Sequence, residues 1–404
     1  MKAVYWRPQK LSVKTLVVVG ALSVCGVALL EALPVTRHQP LAAQKRAAAQ
    51  VAEQALTLLA EQVPAAHAER NRRRHQHPLL GAAMTPLTSR SAEAQAKHRA
   101  FDPNYAAAVV EWLHEAGVRP GDTVAIGWSG SFPGLNVAVA AAVQTLEATP
   151  VVVTSVMASQ FGANQPDYTW LDMERLLREN QVLRVSSAAA TLGGPADRGR
   201  GMSRESRALA RAAIVRSGVP QLTAKRLAGS IEERMSLYRK NSPTNPITAY
   251  INVGGGVASC GGSAGKVQFR QGLNREVVAA SGSAAGSSAP PEAVDCVALR
   301  FLRQGVPVIH LSDTSAIARQ CGMPLEEMGT TAAVGTGPLY ASIGPSRGGA
   351  LLLLSTILTA LHCLIRTGVT RFGWGRETPS TAPAAGLRLL SGDRESDAGL
   401  EQMV

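Results

Sequence analysis

The chain has 404 residues, enough for two or three folding units. With 46% hydrophobic, 17% charged and only 4% aromatic residues, it is neither an intrinsically disordered chain nor a polytopic membrane protein. Its formal charge of +12, from 41 basic and 29 acidic residues, favours anionic partners. The basic residues are scattered and no nucleic-acid-binding motif accompanies them, so an acidic polymer or anionic lipid fits and nucleic acid is not expected. Five cysteines show neither a C-x-x-C pair nor zinc-type histidine spacing, so no metal site is expected; one disulfide among Cys260, Cys296 and Cys321 stays open.

In chain order, a short basic segment (1–14, with Lys2, Arg7, Lys10 and Lys14) precedes the apolar run 15–35, TLVVVGALSVCGVALLEALPV. At about 1.5 Å per residue this run reaches across a bilayer core. Near its end, Leu30-Glu31-Ala32-Leu33-Pro34 lacks the small-x-small pattern of a cleavage site, which favours an uncleaved anchor over a signal peptide. A second run, GGALLLLSTILTALHCLI (348–365), is followed by Arg366, Arg371 and Arg376 and reads as a second membrane helix. Basic residues flank the outer sides of both runs more densely than the inner sides, so both termini are expected in the cytoplasm. The region between is then extracytoplasmic, and 366–404 is expected to be a disordered cytoplasmic tail.

Between the runs, 36–100 reads as a helical stalk and basic linker. Residues 41–62 are strong helix formers with apolar residues at helical spacing. The cluster Arg70-Asn71-Arg72-Arg73-Arg74-His75-Gln76-His77 is either a solvated loop or an electrostatic landing site. From 101 to 345 the pattern is α/β: helix 104–117, strand 123–127, helix 135–147 and strand 150–156, then strands 248–253 and 306–311 with helices 203–218 and 223–240 between. This spacing predicts a mostly parallel sheet flanked by helices. The stretch 281–291, SGSAAGSSAPP, reads as a flexible insertion.

Three strand ends carry small polar loops. The first, GWSGSFPGLN (127–136), contains Ser129, Ser131 and Asn136. It departs from G-x-S-x-G at its fifth position, although Ser129 with His310 and Asp313 makes a conceivable triad. Between a strand and a helix, the same loop offers amide groups and a helix N-terminus to an anion. The second loop carries Ser155, Ser159 and Asn164, followed by Asp172 and Glu174, which read as helix N-terminal charges or as acid–base groups. The third, Asn252 to Ser263, brings Gly254, Gly255 and Ser259. In a parallel sheet such carboxyl ends share one crevice. G-K-[ST] and G-x-G-x-x-G are both absent, so no nucleotide cofactor is expected.

The segments GDTVAIGWSGSFPGLNVAV, SQFGANQPDYTWLDME and AYINVGGGVASCGG, behind a single N-terminal span, are similar to the poly-γ-glutamate system protein family. The resemblance covers most of residues 84–340 and the anchor. It implies an accessory of poly-γ-glutamate synthesis or export, working beside the membrane-bound synthase and export subunits, and carries over no catalytic residues. The ligand-binding residues expected are Ser129, Ser131, Asn136, Ser155, Ser159, Asn164, Asn252, Gly254, Gly255 and Ser259, facing the polymer or glutamate-like carboxylates. Two alternatives stand beside this: a tethered serine hydrolase or amidase using Ser129, and a phosphate- or nucleotide-binding domain if the topology is reversed.

Overall fold

A computed structural model describes residues 13–242, 245–277, 293–325 and 333–370, the side chains of 13–16 and 364–370 excepted. The expected tails 1–14 and 366–404 lie mostly outside those residues, and the insertion 281–291 lies wholly outside them.

From the N-terminus, α1 (Val13–Ala32) is followed by β1 (Val35–His38), α2 (Ala42–Glu61), α3 (Ala65–Arg73), β2 (Thr88–Arg90) and α4 (Ala94–Arg99). An α/β alternation then runs through α5 (Tyr105–Glu115), β3 (Thr123–Ser129), α6 (Pro133–Thr145) and β4 (Thr149–Ser155). Three two-residue strands, β5 (Ala158–Ser159), β6 (Asn164–Gln165) and β7 (Tyr168–Thr169), lead into α7 (Trp170–Glu179) and β8 (Ser187–Thr191). Next come α8 (Arg204–Ser217), α9 (Leu227–Lys240), β9 (Ile247–Val253) and the short turns α10 (Val257–Cys260) and α11 (Gly262–Gly265). The described chain closes with β10 (Gly272–Asn274), α12 (Val297–Arg303), β11 (Val308–Leu311), α13 (Thr314–Cys321), β12 (Ala341–Gly344) and α14 (Arg347–Thr370).

The chain divides into two compact units, one spanning Val35–Gly344 and one containing α1 and α14. In the larger unit six strands lie in the order β10-β11-β9-β3-β4-β8, parallel except for the edge strand β10. The expected mostly parallel sheet with flanking helices is therefore present. Period-two alternation decides which face each strand residue serves. Val124, Ile126 and Trp128 join one core with α2, α5 and α6, whereas Ala125 turns to the opposite core with Tyr238, Tyr250 and Phe301. Local signals end the helices where the sequence places them. The Ser203 hydroxyl accepts from the Ser206 amide at 2.9 Å to start α8, and Gly218 at φ 72° closes it.

Strand order also contains a crossover. From β3 the chain proceeds to β4 and β8 on one side, then returns to β9 on the other side of β3 and on to β11. The switch point thus lies between β3 and β9, where connections leave in opposite directions and open a crevice at the carboxyl ends.

Two expectations are corrected. Residues 42–61 are not a stalk: Ala48, Ala49, Ala52, Ala55 and Leu59 are fully buried, and α2 packs on α5 and α6 as part of the α/β unit. An alanine stripe allows this close approach, and such a stripe looks the same in sequence whether it packs or not. The basic cluster is helical rather than a loop as far as Arg73, and Arg72 and Arg73 remain exposed to solvent. Arg70 turns inward to donate to Gln165 Oε1 and the Leu80 carbonyl, and Arg72 and Arg73 pair with Glu69.

In the smaller unit α1 and α14 pack through small residues. A Cβ on Gly349 would stand 2.6 Å from Leu30 Cδ2, and one on Gly26 would overlap Leu353. Val17, Val18, Val24, Leu351 and Leu352 are exposed. Among the described residues no helix is long and apolar enough to cross a membrane.

The loops after β3 and β4 touch backbone to backbone. A Cβ on Gly162 would stand 2.6 Å from the Gly130 carbonyl oxygen and 2.9 Å from Ser131 Cα. Gly162→Ala must therefore push the loops apart, and the expected loss is about 1–3 kcal/mol in urea unfolding. An unchanged midpoint would show that this approach is not a constraint.

Candidate ligand-binding site

The register of the central strands sets Ser129, Ser155 and Thr191 level with one another across β3, β4 and β8. Just beyond them a cavity of about 710 Å³ opens at the carboxyl ends of the sheet. Ser129, Ser131, Ser155 and Ser159 line it, as do Gly255 and Gly256 after β9, so it straddles the switch point. Its charged lining residues are Arg90, Lys97, Lys266, Glu93 and Asp313, three cations against two carboxylates.

Lys97 is the unusual member. Its side chain is 3% exposed, and its ammonium donates to the Ser131 carbonyl at 2.7 Å and sits 3.1 Å from the centre of the Phe132 ring. No carboxylate pairs with it among the described residues. Burial pulls its proton affinity well below the ordinary lysine range, against the cation–π contact and the carbonyl. Ser159 is 6% exposed, and its hydroxyl has no partner among the described residues. A buried hydroxyl left so costs about 1–3 kcal/mol.

The other serines are engaged to different degrees. Ser131 Oγ accepts from the Ser159 amide at 3.1 Å, and Ser129 Oγ accepts from the Ser131 amide at 3.3 Å. Ser155 faces the cavity but is held from behind. Its hydroxyl lies 3.0 Å from Arg234 Nη2 and 3.1 Å from Thr191 Oγ1. Arg234, fully buried, also pairs with Asp197 at 2.9 Å, and Ser230 donates to the same carboxylate at 2.5 Å. Breaking such a buried pair costs about 3–5 kcal/mol, so this cluster holds the β4 and β8 ends in place.

Several expected site residues stand outside the cavity. Asn136 is buried in α6 and donates to the Ser129 carbonyl at 3.0 Å. Asn164 ties down the 82–88 segment, donating to the Ala82 carbonyl at 2.7 Å and to Thr88 Oγ1 at 2.9 Å. Asn252 donates to the Gly254 carbonyl at 2.8 Å, and Gly254, at φ 91°, donates its amide to the Leu311 carbonyl. Ser259 is buried behind the glycine loop and does not line the cavity. Asn136, Asn164, Asn252 and Ser259 support the loops; Gly255 alone of the third loop's expected residues reaches the lining.

The triad is not assembled. His310 is fully buried, with Nδ1 3.0 Å from Asn252 Nδ2 and Nε2 2.9 Å from Ser312 Oγ. The Asn252 amide nitrogen can only donate, so Nδ1 accepts and Nε2 carries the proton. Burial, helped by Lys266, holds the imidazole down at about 4. Asp313 accepts from the Ala316 amide at 3.0 Å and caps α13. Ser129 thus has no base among the described residues, and His310 sits on β11, two strands away from β3, at about 4.8 Å per strand.

The acidic pair after the second loop also resolves. Asp172 forms a capping box with Thr169 and pairs with Arg216 at 2.7 Å. Glu174 is buried outside the cavity, ending a chain in which Trp128 Nε1 donates to Thr154 Oγ1 at 2.5 Å, Thr154 lies 2.6 Å from Ser187, and Ser187 donates to the carboxylate at 2.8 Å. Burial raises its carboxyl to about 7 despite these donors.

Arg90, Lys97 and Lys266 carry no signal in the sequence. Lys97 lies in a six-residue helix, too short for an apolar period to reveal its buried face. Among the described residues no group of three His, Cys, Asp or Glu is placed to hold a metal ion, and Cys260, Cys296 and Cys321 are thiols. Compared with protein-family models, curated proteins and solved structures, the chain has no significant match to any.

Glu174 yields a pH prediction. Its folded-state affinity for a proton exceeds the ordinary value of 4.5, so its contribution is intact below pH 4.5 and lost as pH rises through about 7. At about 1.4 kcal/mol per pH unit, the loss is on the order of 3 kcal/mol. Glu174→Gln should become progressively more stabilising relative to wild type between about pH 5 and 8 in urea unfolding. A constant difference across that range would contradict the assignment.

Proposed function

We propose that the protein is a membrane-anchored accessory of poly-γ-glutamate synthesis or export, whose α/β unit binds the carboxylates of the polymer outside the cytoplasmic membrane. The observation that carries the binding half of this reading is Lys97. A buried ammonium without a carboxylate partner, facing a cavity beside an unpartnered serine hydroxyl, is destabilising in the empty protein, and a bound anion offsets that cost. Carboxylate suits the chemistry: its two oxygens accept from Lys97 and Ser159, and the N-terminal end of the 13-residue α6 adds favourable potential. Poly-γ-glutamate presents one free carboxylate per unit, and a chain of +12 is matched to it.

The membrane half rests on α1 and α14. Val and Leu stand exposed around both helices, and the two pack through Gly26 and Gly349 in the small-residue manner of helices in lipid. In water such a pair would expose its apolar surface; in a bilayer that cost disappears. The basic flanks favour termini on the cytoplasmic side and the α/β unit outside. The hydrolase alternative lacks support, because Ser129 has no base within hydrogen-bond distance among the described residues.

The test uses full-length protein in lipid nanodiscs passed over immobilised poly-γ-glutamate. Retention is expected at low ionic strength and release at high salt. Lys97→Met should weaken retention by about tenfold or more, the scale of one charge-assisted hydrogen bond. The same variant should be at least as stable as wild type in thermal unfolding, because an apolar side chain of similar size replaces an unpaired buried charge. Retention unaffected by Lys97→Met would remove the cavity from the reading, and no retention at low salt would remove the polymer.

A further inference from the structure

The cavity holds two separate cationic points, and each has hydrogen-bond capacity left over. At one, Lys97 directs a single donor to the Ser131 carbonyl. Ser159 joins it there, since its amide donates to Ser131 Oγ and its own hydroxyl is unpartnered and 6% exposed. At the other, Arg90 extends from the end of β2 to the glycine loop after β9. Its Nη1 lies 3.2 Å from where a Cβ on Gly255 would stand, and its Nη2 3.6 Å from one on Gly262. Any larger residue at 255 would crowd the guanidinium, whose five N–H groups have no acceptor among the described residues.

The two points are set by neighbouring strands. Lys97 is fixed to the loop after β3, and Arg90 lies on the loop after β9, the strand paired with β3. The loops touch: a Cβ on Gly254 would stand 3.0 Å from Ser129 Oγ and 3.7 Å from Ser131 Cβ. A monocarboxylate held by Lys97 and Ser159 leaves the Arg90 guanidinium unmet, whereas a ligand with two carboxylates can engage both points at once. The arrangement is also discriminating, because Glu93 and Asp313 line the same cavity and repel anionic charge placed away from the two cations.

We infer that the cavity takes a dicarboxylate, with one carboxylate on Lys97 and Ser159 and the other on Arg90. The inference rests on the carboxylate reading above and specifies its ligand: a glutamate-like unit presenting two free carboxylates, as the carboxyl-terminal unit of a γ-linked chain does and an interior unit does not.

The experiment measures binding of glutarate, butyrate and inorganic phosphate to the full-length protein in nanodiscs by calorimetry, for wild type, Lys97→Met and Arg90→Met. Glutarate should bind at least about tenfold more tightly than butyrate, the scale of one further charge-assisted contact. Arg90 is exposed and its guanidinium has no structural partner among the described residues, so Arg90→Met should fold normally and lose that preference while still binding butyrate. Lys97→Met should lose both ligands' shared contact and weaken each. Equal affinities in wild type, or a preference that survives Arg90→Met, would overturn the two-point grip. Phosphate binding more tightly than glutarate would overturn the dicarboxylate class. Failure here is distinct from failure of the polymer reading: polymer retention without a glutarate preference rejects this inference alone, and a glutarate preference without polymer retention rejects the polymer alone.

Discussion

The cavity depends on a single steric constraint, the contact of backbone with backbone where the loops after β3 and β4 meet. The Gly130 amide donates to the Ser155 carbonyl at 3.2 Å, and the Gly130 carbonyl accepts from the Ala163 amide at 2.7 Å. A Cβ on Gly162 would stand 2.6 Å from the Gly130 carbonyl oxygen, and one on Gly130 would stand 3.1 Å from the Ala163 and Val156 carbonyl oxygens, so the two glycines let the loops approach. The same device recurs at Gly134, where a Cβ would overlap the Ala100 carbonyl, and at Gly81 against Gly162. These contacts bring α4 and β2 down onto the carboxyl ends of the sheet and so deliver Lys97 and Arg90 to the cavity. An abundance of Gly and Ala that says little as composition acquires a purpose in this packing.

Charge is handled in two ways within one unit. Arg234 and Asp197 are buried together and surrounded by Ser155, Thr191 and Ser230, and Glu174 accepts two bonds from Ser187. Those groups look inward and fasten β4, β8, α7 and α9. Lys97 is buried to a similar depth, yet it has one carbonyl, one aromatic face and an open cavity. Unpaired buried charge is rare because it destabilises the fold, and where it borders a cavity, ligand binding gives it a reason. The two groups thus differ by residue here, with Arg234 paired to a carboxylate inside the frame and Lys97 facing the cavity without one.

The sheet is legible in the sequence because its main strands are short apolar runs bounded by turn signals. The runs ending at Ser129, Ser155, Val253 and Leu311 stand out by their β-branched content. β8 is not legible, since SAAAT offers little β-branched character and is a strand only through pairing with β4. The antiparallel edge β10 is hidden for the same reason, three residues that pair with β11 through tertiary context. Of the candidate site, the polar strand ends can be read because parallel topology gathers them, and Ser129, Ser131, Ser155, Ser159 and Gly255 do share one cavity. Asn252 and His310 cannot be sorted from ligand-facing groups, because an inward hydrogen bond between neighbouring strands leaves no periodic trace. Lys97 and Arg90 are invisible, since only the folded glycine contacts bring residues so distant from the loops into the same space.

The central claim, that this cavity is where carboxylates bind, is tested most directly by placing a reporter inside it. In full-length Ser159→Cys in nanodiscs, the rate of iodoacetamide alkylation at position 159 is followed by peptide mass spectrometry, with and without poly-γ-glutamate oligomers. The account predicts that oligomers slow alkylation at position 159 at low ionic strength and that high salt abolishes the protection. An alkylation rate indifferent to saturating oligomer would contradict it.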